Sequence, residues 1–156
     1  MIKKKYITEN NIKGALLNIC QLMYMDNYRP DIIVGITRGG LYPATMLSHY
    51  INTKMYTLDV RLRDGDIQEN SKFLKEQVKK GAKILVVDDI NDSGETFKWI
   101  ANNWKITKSN KKVKFAVIVD NIVSDFTSDY QGIEINKEEN PEWIVFPYEE
   151  WWHDSK

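Results

Sequence analysis

The run Ile84-Leu85-Val86-Val87 ends directly in Asp88 and Asp89. Four consecutive apolar residues, three of them β-branched, leave no polar face. A strand built from them must be covered on both sides, as in a parallel sheet with helices above and below. Open sheets of that kind hold their ligands at the C-terminal ends of the strands, where the two carboxylates would stand. A third acid follows in Asp92-Ser93-Gly94-Glu95-Thr96, and a helical pattern begins there. Free backbone N–H groups at a helix start, its dipole and two hydroxyls suit a phosphate. Carboxylates able to accept from a sugar diol, set beside a phosphate cradle, describe a site for a ribose 5-phosphate.

The rest of the chain repeats the alternation. Thr8 caps a helix in which Ile12, Leu16, Ile19 and Met23 recur at three- and four-residue spacing, and Asn27-Tyr28-Arg29-Pro30 ends it. Residues 31–36 read as a buried strand closed by the turn Thr37-Arg38-Gly39-Gly40. A helix over about 41–51 follows, with Pro43 in its first turn. Residues 54–60 are a second strand, 61–70 a polar loop, and 71–80 an amphipathic helix stopped by Gly81. The strand 84–87, a helix over about 95–106 and a strand over 113–119 complete the pattern. The fold class is α/β: a mostly parallel sheet flanked by helices. From Gln131 onward the chain is aromatic and turn-rich, with residues 143–147 as an edge strand. No repeat, linker or low-complexity tract divides it. Residues 1–156 are read as one domain, with a core over about 31–120 and a small C-terminal hood over about 121–152.

Composition narrows the partners. At 156 residues the chain suits one domain with a real core, and its 22 basic residues are matched by 22 acidic ones. That balance argues against nucleic acid and membrane surfaces as partners. No apolar run reaches membrane-spanning length, Lys3-Lys4-Lys5 lacks a following signal region, and the single Cys20 excludes a disulfide framework. The expected location is the cytoplasm. Cys20 reads as a buried structural thiol, and neither His49 nor His153 has metal-ligand spacing.

The segment from Ile84 to Thr96 closely resembles the phosphoribosyl pyrophosphate (PRPP) motif of the type I phosphoribosyltransferases. The resemblance implies that Asp88 and Asp89 bind the ribose hydroxyls. It assigns the 5-phosphate to Ser93, Gly94, Glu95 and Thr96, and places Asp92 nearest the incoming base, as general base or acceptor for a ring N–H. Thr37, Arg38, Gly39 and Gly40 match the family's pyrophosphate loop, with Arg38 as its fixed charge. The loop Arg61-Leu62-Arg63-Asp64-Gly65-Asp66 matches the lid, so Arg61 or Arg63 would neutralise the leaving pyrophosphate. Mg2+ is implied as cofactor, reached by Asp89.

The tail, with Trp143-Ile144 and then Phe146-Pro147-Tyr148-Glu149, resembles the hood of bacterial xanthine-guanine phosphoribosyltransferases. Trp143 would stack on the base, and Ile144 would offer backbone groups to its edge. One departure stands out. Purine-specific members carry a lysine at the end of the preceding strand; here Asn121, or Asp120, occupies that place, so the choice of base stays open. The implied activity is transfer of the 5-phosphoribosyl group of PRPP to a nucleobase, purine-like by resemblance. The alternative is a non-catalytic PRPP or nucleotide-binding regulator on the same fold. A Walker P-loop and a dinucleotide glycine fingerprint are both missing from the sequence. An unrelated metal-using hydrolase would leave the phosphate turn after the acids unexplained. Exposed tail tryptophans point to a homodimer or homotetramer.

Overall fold

The computed structural model describes residues 1–61, 66–67 and 71–153. Along the chain run β1 (Lys4–Tyr6), α1 (Glu9–Met25), β2 (Ile32–Ile36), α2 (Leu41–Ile51), β3 (Met55–Leu58), β4 (Val60–Arg61) and β5 (Asp66–Ile67). There follow α3 (Ser71–Lys79), β6 (Ile84–Asn91), α4 (Glu95–Asn103), β7 (Val113–Asn121), β8 (Tyr130–Ile135) and β9 (Trp143–Val145). The main sheet has the order β3-β2-β6-β7-β8, and each neighbouring pair is parallel.

Strand period fixes the two layers. Ile33, Leu85, Val87, Ala116 and Ile118 face α1 and α2, meeting Ile12, Leu16, Ile19, Ala44 and Leu47. The alternate residues Ile32, Val34, Ile84, Val86, Phe115 and Val117 meet Leu74 of α3 and Phe97 and Ile100 of α4. Continuous apolar runs are therefore needed in the central strands, because both faces are dry. At the start of α1, Thr8 accepts from the Asn11 N–H at 3.0 Å, and the Asn11 side chain accepts from the Thr8 N–H at 2.9 Å.

Four regions differ from the sequence reading. β6 runs four residues past Val87, so Asp88 and Asp89 lie inside the strand rather than after it. The β2 ladder reaches β6 only as far as Gly35–Val87, whereas β7 continues beside it to Asp120. Once β2 leaves, one flank of β6 opens and its residues turn polar while the ladder on the other flank persists. β8 was not anticipated: its sequence Tyr-Gln-Gly-Ile-Glu-Ile suits a half-exposed edge. Gly132 is needed there, since a Cβ would lie 2.3 Å from the Ala15 Cβ of α1. The main sheet thus extends into the region expected to be hood. β9 pairs in parallel with β1, a strand that Lys3-Lys4-Lys5 concealed, and the ion pairs Lys3–Glu142 (3.3 Å) and Lys4–Glu150 (2.9 Å) reinforce the join. Finally, the expected polar loop opens with an antiparallel pair, Val60–Ile67 and Arg61–Asp66.

Candidate functional site

β6 delivers Asp88 and Asp89 to the C-terminal edge of the sheet, half-buried and adjacent. The Asp89 N–H donates to Asp88 Oδ1 at 2.9 Å, and the Ile90 N–H donates to Asp89 Oδ1 at 2.8 Å. Desolvation, and then the neighbouring Asp89 charge, push the Asp88 carboxyl well above the usual carboxylate range. Two crowded acids invite hydroxyl donors or a cation. Next to them lies a cavity of about 240 Å3 walled by the turn Asp92 to Thr96 and the start of α4.

That turn is held from behind. The Asn91 side chain, 3% exposed, donates to Asp120 Oδ1 (2.9 Å), Ser124 Oγ (2.9 Å) and the Phe126 carbonyl (2.7 Å). Gly94 has φ +89°, and a Cβ there would lie 2.6 Å from the Phe126 nitrogen, so glycine is required twice over. No side chain caps α4 at Gly94, nor α2 at Gly40, whereas α1, away from the site, carries a full capping box. The Glu95 N–H reaches Ser93 Oγ at 3.3 Å and the Leu41 N–H reaches the Arg38 carbonyl at 3.2 Å, so each helix satisfies its first donor locally and leaves the next donors of its first turn uncapped by a side chain.

The Thr37–Gly40 loop meets the acids from the other side. A Cβ on Gly39 would fall 1.8 Å from Asp89 Oδ2, and one on Gly40 would fall 2.5 Å from the Val87 carbonyl. Both glycines exist to let this loop lie against β6. The Thr37–Arg38 peptide is cis. Thr37 Oγ1 donates to Asp59 Oδ1 at 3.1 Å, which ties the loop to the end of β3. Exposed Arg38 and half-buried Gly39 line a groove of about 990 Å3, whose opposite wall includes Tyr148, Trp151 and Trp152. Asp89 borders both this groove and the smaller cavity.

Sequence reasoning missed Tyr148, whose hydroxyl donates to Asp89 Oδ2 at 2.9 Å. Desolvation and the nearby Asp89 charge push its phenol far above the usual range, so it stays a donor at any working pH. Its ring stacks on Phe146 at 5.6 Å and tilts against Tyr42 at 5.3 Å, which fixes its aim. The only hint was its place among the tail aromatics.

At the base end, Trp143 stands half-exposed, and Ile144 turns its side chain into the core. Asn121 is corrected from a base contact to a strut. It is 5% exposed, its Nδ2 donates to the Asp92 carbonyl (3.0 Å), and its Oδ1 accepts from the Lys137 N–H (3.1 Å). Both ends of the amide are used internally. Asp120 is likewise committed to Asn91 and to Ser128, which donates at 3.1 Å. Asp92 is not an unpartnered base: Lys137 Nζ lies 2.9 Å from its Oδ2. Of the two lid arginines, Arg61 ends β4 with its side chain outside the described residues, and Arg63 lies outside them entirely.

Among the described residues no group of three or more His, Cys, Asp or Glu could hold a metal. The Asp88–Asp89 pair still fits Mg2+, which commonly takes one or two carboxylates and completes its shell with substrate phosphate and water. The described helices include none long and apolar enough to cross a membrane.

Known proteins are similar to this chain in sequence and in fold. Xanthine phosphoribosyltransferase 1 of Saccharomyces cerevisiae is 24% identical over 149 residues, covering 80% of this chain and 71% of that protein. The purine phosphoribosyltransferase of Pyrococcus horikoshii superposes with a TM-score of 0.69 at 24% identity, over 98% of this chain and 99% of its own. The xanthine-guanine-hypoxanthine phosphoribosyltransferase of Helicobacter pylori gives 0.73 at 23% identity, over 96% and 95%. The phosphoribosyl transferase domain model matches residues 1–153, so almost every element that builds the site falls within it, and the chain belongs to that family.

Proposed function

We propose that this phosphoribosyl transferase moves the 5-phosphoribosyl group of PRPP onto a ring nitrogen of a purine base, releasing pyrophosphate and forming a nucleoside 5′-monophosphate. One observation carries the reading: Asp89 lies between two cavities, each served by a helix that begins on an uncapped glycine. A ligand with an anionic group at each end and a diol between them suits that layout. PRPP is such a ligand. The 5-phosphate takes Ser93, Gly94, Glu95 and Thr96, chiefly through backbone N–H groups; the exposed Glu95 side chain can turn to solvent. The hydroxyls take Asp88 and Asp89. The pyrophosphate takes Thr37, Arg38, Gly39 and Gly40, with Arg61 or Arg63 from the lid.

In this reading the site works by alignment and charge placement. Holding diol and both phosphates leaves C1 facing the base site. As the C1–oxygen bond breaks, its electron pair departs on pyrophosphate, and Arg38 offsets the growing charge. The base nitrogen forms the new bond to C1, and its proton leaves past Asp92. Bound Mg2+ would neutralise the pyrophosphate, with Asp89 contributing to its shell directly or through water. Trp143 supplies a flat surface for the base. The purine preference draws support from the purine enzymes among the related proteins. A homodimer or homotetramer built on the exposed Trp151 and Trp152 belongs to the same reading and is tested by light scattering.

The deciding experiment measures pyrophosphate release from PRPP with guanine, xanthine, hypoxanthine, adenine, uracil and orotate. Release dependent on a purine supports the proposal. Tight PRPP binding with no base-dependent release refutes it and makes the chain a sensor of PRPP.

A further inference from the structure

We infer that Tyr148 is a positioning residue for PRPP: its hydroxyl fixes the Asp89 carboxylate in the orientation that receives the ribose diol. The inference rests on the transferase reading above and adds to it a residue of the C-terminal segment, outside the motif on β6.

Asp89 is held at both oxygens. Its Oδ1 accepts the Ile90 N–H at 2.8 Å, a contact that β6 supplies by itself. Its Oδ2 accepts the Tyr148 hydroxyl at 2.9 Å, from a residue 59 positions along the chain. The second bond matters because a carboxylate turns easily about its last torsion, and one donor leaves that torsion loose. With a donor on each oxygen the plane is set. Oδ2 is also confined by the Thr37–Gly40 loop, where a Cβ on Gly39 would come within 1.8 Å of it. One oxygen thus meets both the loop and the phenol. Each carboxylate oxygen has about two lone-pair sites, so one on each is left for a ligand. Asp89 borders the groove of Arg38 and the smaller cavity beside Ser93 and Gly94, so those sites serve a group that lies between the two.

The phenol is braced to keep this aim. Its ring stacks on buried Phe146, with centres 5.6 Å apart and planes 6° from parallel, and tilts against Tyr42 of α2 at 5.3 Å. The turn that carries it is closed twice. The Phe146 N–H donates to Glu149 Oε1 at 2.8 Å, and the Glu149 N–H donates to the Phe146 carbonyl at 3.1 Å. Two rings and a closed turn therefore direct one hydroxyl at one carboxylate, and bonds to an ionised acceptor are among the stronger ones a phenol makes. A ring placed for packing alone would not need the hydroxyl.

The test compares Tyr148→Phe with the unaltered chain by calorimetry, using PRPP and magnesium pyrophosphate as ligands. The substitution keeps both ring contacts and removes only the hydroxyl. The Kd of PRPP should rise about 10-fold, the lower end for a hydrogen bond to a charged group, because water can fill part of the place. The Kd of pyrophosphate, which has no diol, should stay within about two-fold. In the pyrophosphate-release assay, KM for PRPP should rise while KM for the base holds. Unchanged PRPP affinity would overturn the assignment and leave the transferase reading intact. Tighter PRPP binding would overturn it as well, because the hydroxyl would then compete with the diol for Asp89. An equal loss with pyrophosphate would mean a general role in the fold of the site and overturn it too. If the unaltered chain does not bind PRPP, the transferase reading fails first and this inference falls with it.

Discussion

Gly39→Ala is the sharpest test of how the two halves of the site are joined. Gly39 does not have the left-handed φ that marks Gly81 and Gly94, so alanine brings no backbone strain. The whole effect is steric. The new Cβ would lie 1.8 Å from Asp89 Oδ2 and 2.5 Å from its Cγ. Ordinary contact begins at 3.4 Å, so the carboxylate or the loop must retreat by roughly 1.6 Å. If Asp89 moves, the 2.9 Å bond from Tyr148 breaks. If the loop moves, Arg38 and the start of α2 leave the pyrophosphate position. A charged hydrogen bond contributes about 1.5–3 kcal/mol, equivalent to a PRPP Kd raised about 10- to 150-fold. Calorimetry with PRPP and Mg2+ measures this directly. Gly14→Ala serves as control, because a Cβ there meets nothing within 4 Å; its affinity should be unchanged. A Gly39→Ala protein that binds PRPP within two-fold of the parent would show that the Gly39–Asp89 contact has no part in holding the ligand.

Three further substitutions probe other parts. Asp88→Asn should abolish PRPP binding yet raise the melting temperature at neutral pH. The Asp88 carboxyl is held above its unfolded value of 3.8, so it costs stability that grows as pH rises from that value and is complete above its folded pKa; the gain in Tm should therefore be larger at pH 8 than at pH 5. Trp143→Ala should raise KM for the base about 5- to 30-fold, the lower range of stacking energies for a half-exposed ring, while KM for PRPP holds; equal rises in both would argue against stacking. Asn91→Leu removes one of the two donors that Asp120 Oδ1 receives, Ser128 Oγ being the other, together with the bonds to Ser124 and Phe126, and should cost about 2 kcal/mol in urea unfolding; a loss under about 0.5 kcal/mol would mean the buried network does not brace the turn that follows β6.

The legible parts of this molecule are those where one segment contains its own reason. Ile84 to Val87 must be buried on both faces, and Thr8 must cap something, so the central strands and α1 could be read from local pattern. The turn after β6 was legible for the same reason: Gly94 and its neighbours are contiguous, and α4 begins on them. What stayed hidden depends on partners distant in sequence. β1 looks like a charged tail until β9 lies beside it, 139 residues away in the pairing of Lys4 with Trp143. β8 looks like a loop until α1 covers Gly132. Tyr148 is one aromatic among many until the fold sets its hydroxyl 59 residues from home, on Asp89. Asn121 misled in the other direction: its position at a strand end suggested a ligand contact, but the strand end is buried under the Lys137 segment.

These long-range contacts share a direction. The C-terminal part of the chain reaches Asp89 through Tyr148 and Asp92 through Lys137, and β9 is anchored beside β1. Asp88 and Asp89 crowd one another, and among the described residues Tyr148 donates to Asp89 from outside β6, so burial and then the neighbouring Asp89 make ionisation of Asp88 costly. A bound diol or cation relieves that cost, and natural proteins keep such cost where a ligand collects the benefit. The part of the site from Asp88 to Thr96 is thus built from contiguous sequence, on β6 and its turn. The part around Asp92 and Trp143 is assembled from β7, the segment after β8, and β9. Substitutions on that side can therefore be tested apart from those on β6 and its turn.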